Sequence, residues 1–115
     1  MADDCLFCKI ADGSIPSDKM FEDDEFIAFR DINPQSRVHI LVVPKRHIAK
    51  LSDCSQSDRE MLSGLLLTAN KVARDEGIDQ SGYRVVINSG SDGGQVIFHI
   101  HLHLMGGERL DGKMG

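Results

Sequence analysis

The sequence predicts an α+β fold, in which an antiparallel sheet of about five strands packs against one long and one short helix. Two observations support this class, the order of the segments and the alternation near the end of the chain. Short β-rich segments come first, an amphipathic segment with a 3.6-residue period follows at residues 61–73, and further β-rich segments end the chain. In residues 99–105, histidine alternates with bulky apolar residues, which is the period-two pattern of a strand.

Four elements are predicted in the first part of the chain. Residues 5–11 form a short helix, and residues 19–22 and 26–30 form two short strands around an acidic turn. A loop follows, because the Asn-Pro pair at residues 33–34 disfavours helix. Residues 38–43 are almost continuously apolar and β-rich, which indicates a central strand that Pro44 ends.

The long helix has recognisable start and stop signals. Ser57 is the expected N-cap and Glu60 its capping-box partner. Apolar residues from Met61 to Ala73 then share one helical face, and Gly77 supplies the stop. The pattern predicts a helix of roughly five turns that lies on the sheet.

Two strands are predicted after the helix. Residues 83–88 form the first, residues 89–94 a Gly-rich loop, and residues 96–105 a histidine strand whose three imidazoles share one face. Both edges of so small a sheet are exposed, so the sheet is expected to continue across a homodimer.

Length and charge narrow the functional classes. The 115 residues are expected to form one domain over residues 1–115. A net charge of −5 and no basic cluster beyond Lys45-Arg46 argue against binding of a nucleic-acid polymer, although backbone N–H groups can bind a small anion.

No segment has the pattern of a signal peptide or a membrane span, so a cytoplasmic location without membrane attachment is expected. The three cysteines, an odd number, argue against a disulfide framework.

Three imidazoles on one face indicate chemistry, since imidazole acts as nucleophile, proton carrier or metal ligand. Same-face positions on a strand lie about 6.5–7 Å apart, so three of them span about 13 Å and do not easily share one ion. A nucleophilic imidazole whose neighbours orient it and move protons uses all three. This hypothesis predicts that Gly93, Gly94 and Gln95 turn N–H groups toward a phosphate. A zinc-dependent hydrolase with His99 and His101 as ligands is the alternative.

The histidine segment resembles the His-φ-His-φ-His-φ-φ signature of the histidine triad (HIT) superfamily. The Gly106-Gly107 pair that follows is similar to the histidine triad nucleotide-binding (Hint-like) branch, bacterial type. The resemblance extends over segments 7–17, 29–35, 39–47 and 82–107. It implies a HIT-like fold and a homodimer with one continuous sheet.

The resemblance implies a hydrolase that binds a purine nucleoside monophosphate (AMP or GMP) and cleaves phosphoramidates such as AMP-amine or AMP-lysine. His101 matches the nucleophile that takes up AMP, and His103 the residue that contacts the phosphate and leaving group. His39 matches a further active-site histidine, and the backbone of His99 orients the nucleophile. The alternatives are a dinucleoside polyphosphate hydrolase and a nucleotide-sensing or scaffolding module with weak catalysis.

The resemblance also implies a nucleotide site. Asp31 matches the carboxylate that holds the ribose hydroxyls, and Ile32 lies near the base. Positions along the phosphate are Asn88, Gly94, Gln95 and Val96. Val96 departs from the pattern, because animal relatives often carry a serine there whose hydroxyl assists the leaving amine.

Some bacterial relatives bind a structural zinc ion, and the resemblance implies the ligands here. They are Cys5, Cys8, His47 and His99, a set that suits tetrahedral Zn²⁺. Catalysis itself is expected to require no cofactor. One Cys-x-x-Cys pair is a weak signal, so unmetallated thiols on the first helix are the alternative.

Overall fold

The fold is built on a five-stranded antiparallel sheet with the strand order β1-β2-β3-β5-β4. The structure is a computed structural model that describes residues 4–113. The strands and helices, in chain order, are α1 Leu6–Ala11, β1 Lys19–Glu22, β2 Phe26–Arg30, β3 Val38–Pro44, α2 Arg59–Asp75, β4 Tyr83–Val86 and β5 Leu102–Gly106. The predicted α+β class, with five strands, one long helix and one short helix, is confirmed.

Helix α2 covers one face of the sheet. Its apolar stripe faces inward because its buried residues recur every three or four positions. The helix residues Leu65, Ala69 and Val72 belong to one buried cluster with side chains of β2, β3 and β5. The strand residues in this cluster are Phe26, Ala28, Ile40, Val42, Leu102 and Leu104. Within residues 4–113, no helix has the length and apolar character needed to cross a bilayer.

The opposite face of the sheet carries α1 and the histidines. Phe7 of α1 is buried and meets Phe29 edge-to-face, with 5.6 Å between ring centroids. The other members of this second cluster are Cys5, Ile27, Leu41 and Val43. Because both faces of β3 are covered, its sequence is a nearly continuous apolar run and does not alternate.

The histidine strand is shorter than predicted, since β5 begins at Leu102 and not at Val96. The pairing of β3 with β5 ends at Val42 and Leu102. Beyond it, the carbonyl of Pro44 accepts a hydrogen bond from the His99 ring, and the amide of Ile100 donates to the carbonyl of Ile48. These contacts take the place of further strand pairing, so residues 96–101 follow the segment after β3 outside the sheet.

The start of α2 also differs from the prediction. A 3₁₀ turn at Gln56–Asp58 precedes the helix, and the carboxylate of Asp58 accepts the N–H of Ser55 at 2.9 Å. The capping box therefore uses Ser55 and Asp58, two residues earlier than Ser57 and Glu60. Both pairs fit the Ser-x-x-acid pattern, which is why the sequence did not separate them. The stop at Gly77, with φ of +75°, is as predicted.

Candidate active site and metal centre

The five histidines gather into two clusters on the face of the sheet opposite α2. The active-site cluster contains Asp31, His39, His101 and His103. The cysteine–histidine cluster contains Cys5, Cys8, His47 and His99. The three histidines of the triad therefore divide between the two clusters, with His99 on one side and His101 and His103 on the other.

His101 lies directly before β5 and has one nitrogen fixed by the main chain. Its Nδ1 donates a hydrogen bond to the carbonyl oxygen of His99, 2.8 Å away. A carbonyl only accepts, so Nδ1 carries the proton and the neutral ring keeps its lone pair at Nε2. Phe7 packs edge-to-face on the ring at 5.0 Å between centroids. Burial lowers the pKa of His101, which favours the neutral, nucleophilic ring at neutral pH.

His103 on β5 lies beside His39 on the neighbouring strand β3. His39 Nε2 and His103 Nδ1 are 2.9 Å apart, which is a hydrogen-bond distance. Burial, with the neighbouring rings of His101 and His39, lowers the pKa of His103 to about 4. Burial also lowers the pKa of His39. The active-site imidazoles are therefore neutral at neutral pH.

Asp31 anchors the loop between β2 and β3. Its Oδ1 accepts the N–H of Asn33 at 2.9 Å, and its backbone N–H donates to the carbonyl of His39. Its Oδ2 lies 3.5 Å from His39 Nε2, and the carboxylate keeps partial contact with solvent. Ile32, the next residue, is fully exposed. The predicted ribose and base positions are thus adjacent and accessible.

The Gly-rich loop does not offer the free amides that we predicted. The N–H groups of Gly93 and Gln95 donate to the carbonyl of Gly90, and that of Gly94 donates to the carbonyl of Ser91. These amides close the loop on itself. The prediction that they point at a phosphate is therefore wrong for this structure.

The side chain of Gln95 is used inside the protein. It is 4% exposed, and its Oε1 accepts the N–H of Gly90 at 2.8 Å. Its Nε2 donates to the carbonyls of Ala49 and Ile97 at 2.7 and 3.0 Å. Both amide hydrogens are taken, so Gln95 ties the loop in place and has no donor left for a phosphate.

Asn88 and Val96 stay accessible on either side of this loop. One amide hydrogen of Asn88 donates to the carbonyl of Gly93 at 2.7 Å, which leaves the second for a ligand. Val96 is 85% exposed and offers no polar atom on its side chain.

The cysteine–histidine cluster has the spacing of a tetrahedral metal site. Cys5 Sγ lies 3.2 Å from His99 Nδ1, Cys8 Sγ lies 3.3 Å from His47 Nδ1, and the two Nδ1 atoms are 3.2 Å apart. Four tetrahedral donors at zinc bond lengths are separated by roughly 3.3–3.8 Å. The four side chains thus converge on one point from α1, the segment after β3, and the histidine segment.

The surroundings of these ligands also fit zinc. His99 is completely buried, and its Nε2 donates to the carbonyl of Pro44 at 2.7 Å, so its lone pair at Nδ1 faces the cysteines. Burial and the neighbouring Cys5 raise the pKa of the Cys8 thiol to about 11. A cation would offset that cost by stabilising the thiolate.

A second group, Asp31, His39 and His103, also has ligand atoms close enough for a metal. However, His39 Nδ1 accepts the backbone N–H of Gln35 at 3.0 Å. A metal at Nε2 would leave the ring without a proton on either nitrogen, whereas a ligating histidine normally donates its other N–H. The group does not fit a metal. Within residues 4–113, neither candidate group contains both His99 and His101. The alternative of a zinc-dependent hydrolase with these two histidines as ligands therefore has no support.

The sequence analysis missed three residues that hold these histidines. Pro44 acts through its carbonyl and Gln35 through its N–H, and nearly every residue carries these groups, so no side-chain pattern signals them. Phe7 does have a signal, because it is the aromatic residue between the two cysteines of the Cys-x-x-Cys pair.

Comparison with known proteins agrees with this fold. A family model described as HIT domain matches residues 12–110. An uncharacterized HIT-like protein of Synechococcus elongatus is 47% identical over 110 residues, which are 96% of each chain. The crystal structure of a HIT family hydrolase from Legionella pneumophila has a TM-score of 0.95 and 49% identity, and covers 97% of this chain and 100% of its own.

Two further structures are named for a ligand. A histidine triad nucleotide-binding protein from Candida albicans has a TM-score of 0.79 and 37% identity, over 87% of this chain and 72% of its own. A Zn-bound histidine triad family protein from Mycobacterium smegmatis has a TM-score of 0.78 and 31% identity, over 100% of this chain and 85% of its own.

Proposed function

Because this chain belongs to the HIT domain family, we propose that it is a nucleotide-binding hydrolase that cleaves purine nucleoside 5′-phosphoramidates through a covalent AMP–His101 intermediate. The observation that carries the proposal is the hydrogen bond from His101 Nδ1 to the His99 carbonyl, which leaves Nε2 as a bare lone pair. The relative from Legionella pneumophila supports the hydrolase class. The nucleotide-binding relative from Candida albicans supports the ligand class.

The reaction proceeds in two displacements at the α-phosphorus. His101 Nε2 forms a bond to phosphorus while the bond to the leaving amine breaks, and the amine takes a proton delivered by His103 or water. Water then attacks the same phosphorus, loses a proton, and releases AMP and the free imidazole. The Nδ1 proton stays on the ring throughout. The positive charge of the phosphorylated imidazole strengthens its hydrogen bond to the His99 carbonyl.

The nucleotide lies between the β2–β3 loop and the Gly-rich loop. The Asp31 carboxylate accepts from the ribose hydroxyls, and the exposed aliphatic side chain of Ile32 covers the purine base of AMP or GMP. The spare amide hydrogen of Asn88 and the side chain of Val96 border the phosphate. Gly94 and Gln95 shape this border by closing the loop.

Zinc has a structural role in this proposal. Cys5, Cys8, His47 and His99 would hold it, and the Zn-bound relative from Mycobacterium smegmatis supports this assignment. The ion would crosslink three chain segments and so fix the backbone of His99. No chemical step uses it. We further propose that residues 1–115 form one HIT domain and that the protein is a homodimer.

Trapping the intermediate tests the function. We expect brief incubation with an adenosine 5′-phosphoramidate to add the mass of AMP to the peptide that contains His101. His101→Asn keeps a side-chain N–H for the His99 carbonyl but has no nucleophile, so the label disappears and kcat falls by roughly 10⁴-fold. Cys54→Ser, outside both clusters, is the control and keeps the label. Label that survives in His101→Asn refutes the assignment.

Val96 supports a second candidate, a nucleotide-sensing module with weak catalysis, because this exposed residue cannot donate a hydrogen bond to a leaving group. A panel with AMP-lysine, a simple AMP-amine and a dinucleoside polyphosphate separates the candidates. Tight AMP binding without turnover of any member supports the sensing module. Preferential turnover of the dinucleoside supports the polyphosphate hydrolase.

A further inference from the structure

Three hydrogen-bonding groups form a chain from the protein main chain to the proposed phosphate site. The N–H of Gln35 donates to His39 Nδ1 at 3.0 Å. His39 Nε2 then lies 2.9 Å from His103 Nδ1. The remaining nitrogen of His103, Nε2, is the one available to a substrate.

The N–H of Gln35 fixes the direction of donation in each of these hydrogen bonds. An amide N–H only donates, so His39 Nδ1 must accept and neutral His39 carries its proton at Nε2. That proton is donated to His103 Nδ1, since the carboxylate of Asp31 is 3.5 Å away, at the limit of hydrogen-bond range. His103 therefore accepts at Nδ1 and carries its own proton at Nε2.

The reverse direction of the hydrogen bond between His39 and His103 would oppose anion binding. If His103 donated from Nδ1 to His39, its Nε2 would present a lone pair to the phosphate oxygens. His39 would then need a proton at Nδ1, directly against the N–H of Gln35. Because His39 is only 5% exposed, water does not readily take over the role of that N–H.

We propose that the main-chain N–H of Gln35 is a positioning group that sets the tautomers of His39 and His103, so that His103 presents an N–H donor to the phosphate or leaving group. The identity of that acceptor rests on the proposed function, whereas the tautomers do not.

The loop around Gln35 is built to hold this amide in place. The Gln35 side chain donates to the carbonyl of Asn33 at 3.1 Å, and the N–H of Asn33 donates to Asp31. On the C-terminal side of Gln35, the hydroxyl of Ser36 donates to the carbonyl of Val38 at 2.6 Å. The same loop thus fixes the carboxylate of Asp31 and the amide that orients His39.

Nitrogen-15 NMR of the full chain with labelled histidine tests the tautomers directly. At about pH 8, above the ordinary histidine pKa, we expect an imine-like Nδ1 and a pyrrole-like Nε2 for both His39 and His103. The spectra are assigned with His39→Asn and His103→Asn. A pyrrole-like Nδ1 in His39 of the unmodified protein overturns the proposal. This measurement needs no turnover, so it is independent of whether the proposed hydrolase activity exists.

Two substitutions at position 35 separate the amide from the side chain. Gln35→Ala keeps the N–H, so we expect the same tautomers. Gln35→Pro removes the N–H, and we expect mixed tautomers, AMP binding weaker by about tenfold, and kcat lower by roughly tenfold to a hundredfold. A folded Gln35→Pro protein with unchanged tautomers contradicts the proposal. If this variant does not fold, the spectra of the unmodified protein decide.

Discussion

Main-chain groups decide the chemistry of the individual histidines. The Pro44 carbonyl turns the lone pair of His99 toward the cysteines, and the His99 carbonyl leaves the lone pair of His101 free. The two rings are only two residues apart in the sequence, yet they acquire different properties. His99 suits a metal ligand and His101 suits a nucleophile. The alternating pattern identified both as chemically important, but it carries no information about which nitrogen is protonated.

The lowered pKa of His101 gives a pH dependence with a definite sign. Protonation removes the Nε2 lone pair, so kcat/KM should fall as the pH is lowered. Because burial lowers this pKa in the folded protein, we expect the fall to begin below about pH 6.5, the ordinary value for histidine. A pH profile of kcat/KM with a phosphoramidate checks this. A decline that starts above pH 7 on acidification would contradict a buried neutral nucleophile.

Val96 offers a substitution with little structural cost. Its side chain is 85% exposed, so Val96→Ser should change the free energy of unfolding by less than about 0.5 kcal/mol. The added hydroxyl can donate to a leaving amine. We expect turnover of a simple AMP-amine to rise by roughly threefold to tenfold. Val96→Ala is the matched control. Equal rates in the serine and alanine variants would exclude a role for the hydroxyl.

The helices and strands were predictable where their patterns are long or their faces distinct. Helix α2 and strand β3 follow their apolar patterns closely. Strand β5 was predicted too long, because the period-two alternation of residues 99–105 begins at His99, three residues before strand pairing begins at Leu102. The alternation of residues 99–101 is explained by side-chain contacts with α1 and the segment after β3, which no local pattern reveals.

Helix α1 is too short to be stable by itself, and the cysteine–histidine cluster ties it to the sheet. It has six residues and buries one large side chain, Phe7. We expect purified protein to contain about one zinc per chain, and a strong chelator to lower Tm by roughly 5–15 °C. His47→Asn should reproduce this loss, because His47 belongs to neither apolar cluster and its expected contribution to stability is as a ligand of the proposed zinc ion.

Cys54→Ser provides the control for this metal prediction, since Cys54 lies outside the cluster. It should keep both the zinc content and the Tm of the unmodified protein. Protein that contains no zinc, and whose Tm does not respond to added zinc or chelator, would support unmetallated thiols.

The sequence predicts this molecule better in its architecture than in its loops. The alternating and 3.6-residue patterns define the layers, and the histidines mark the site. The closed amides of the Gly-rich loop and the N–H of Gln35 were not predictable, because their directions follow from backbone conformation. Assembly is a further property of the whole molecule, and the two sheet edges differ enough to give an expectation for it.

The edge at β1 is protected against pairing, whereas the edge at β4 is regular. The β1 register shifts between Lys19 and Phe21, and its charged residues form ion pairs that include Glu22 with Lys45. Bulges and charges are the usual means by which an edge strand avoids pairing. Strand β4 keeps an unbroken register with β5. A homodimer with a continuous sheet should therefore form through β4.

Hydrogen exchange at several protein concentrations tests this assembly. In the dimer, outward N–H groups of β4 bond to the partner, so we expect a peptide spanning Tyr83–Val86 to lose protection on dilution. A peptide spanning Lys19–Glu22 should exchange at the same rate at every concentration. Light scattering should give twice the mass of the chain at high concentration. Dilution-dependent protection confined to β1, or the mass of a single chain at all concentrations, would refute pairing through β4.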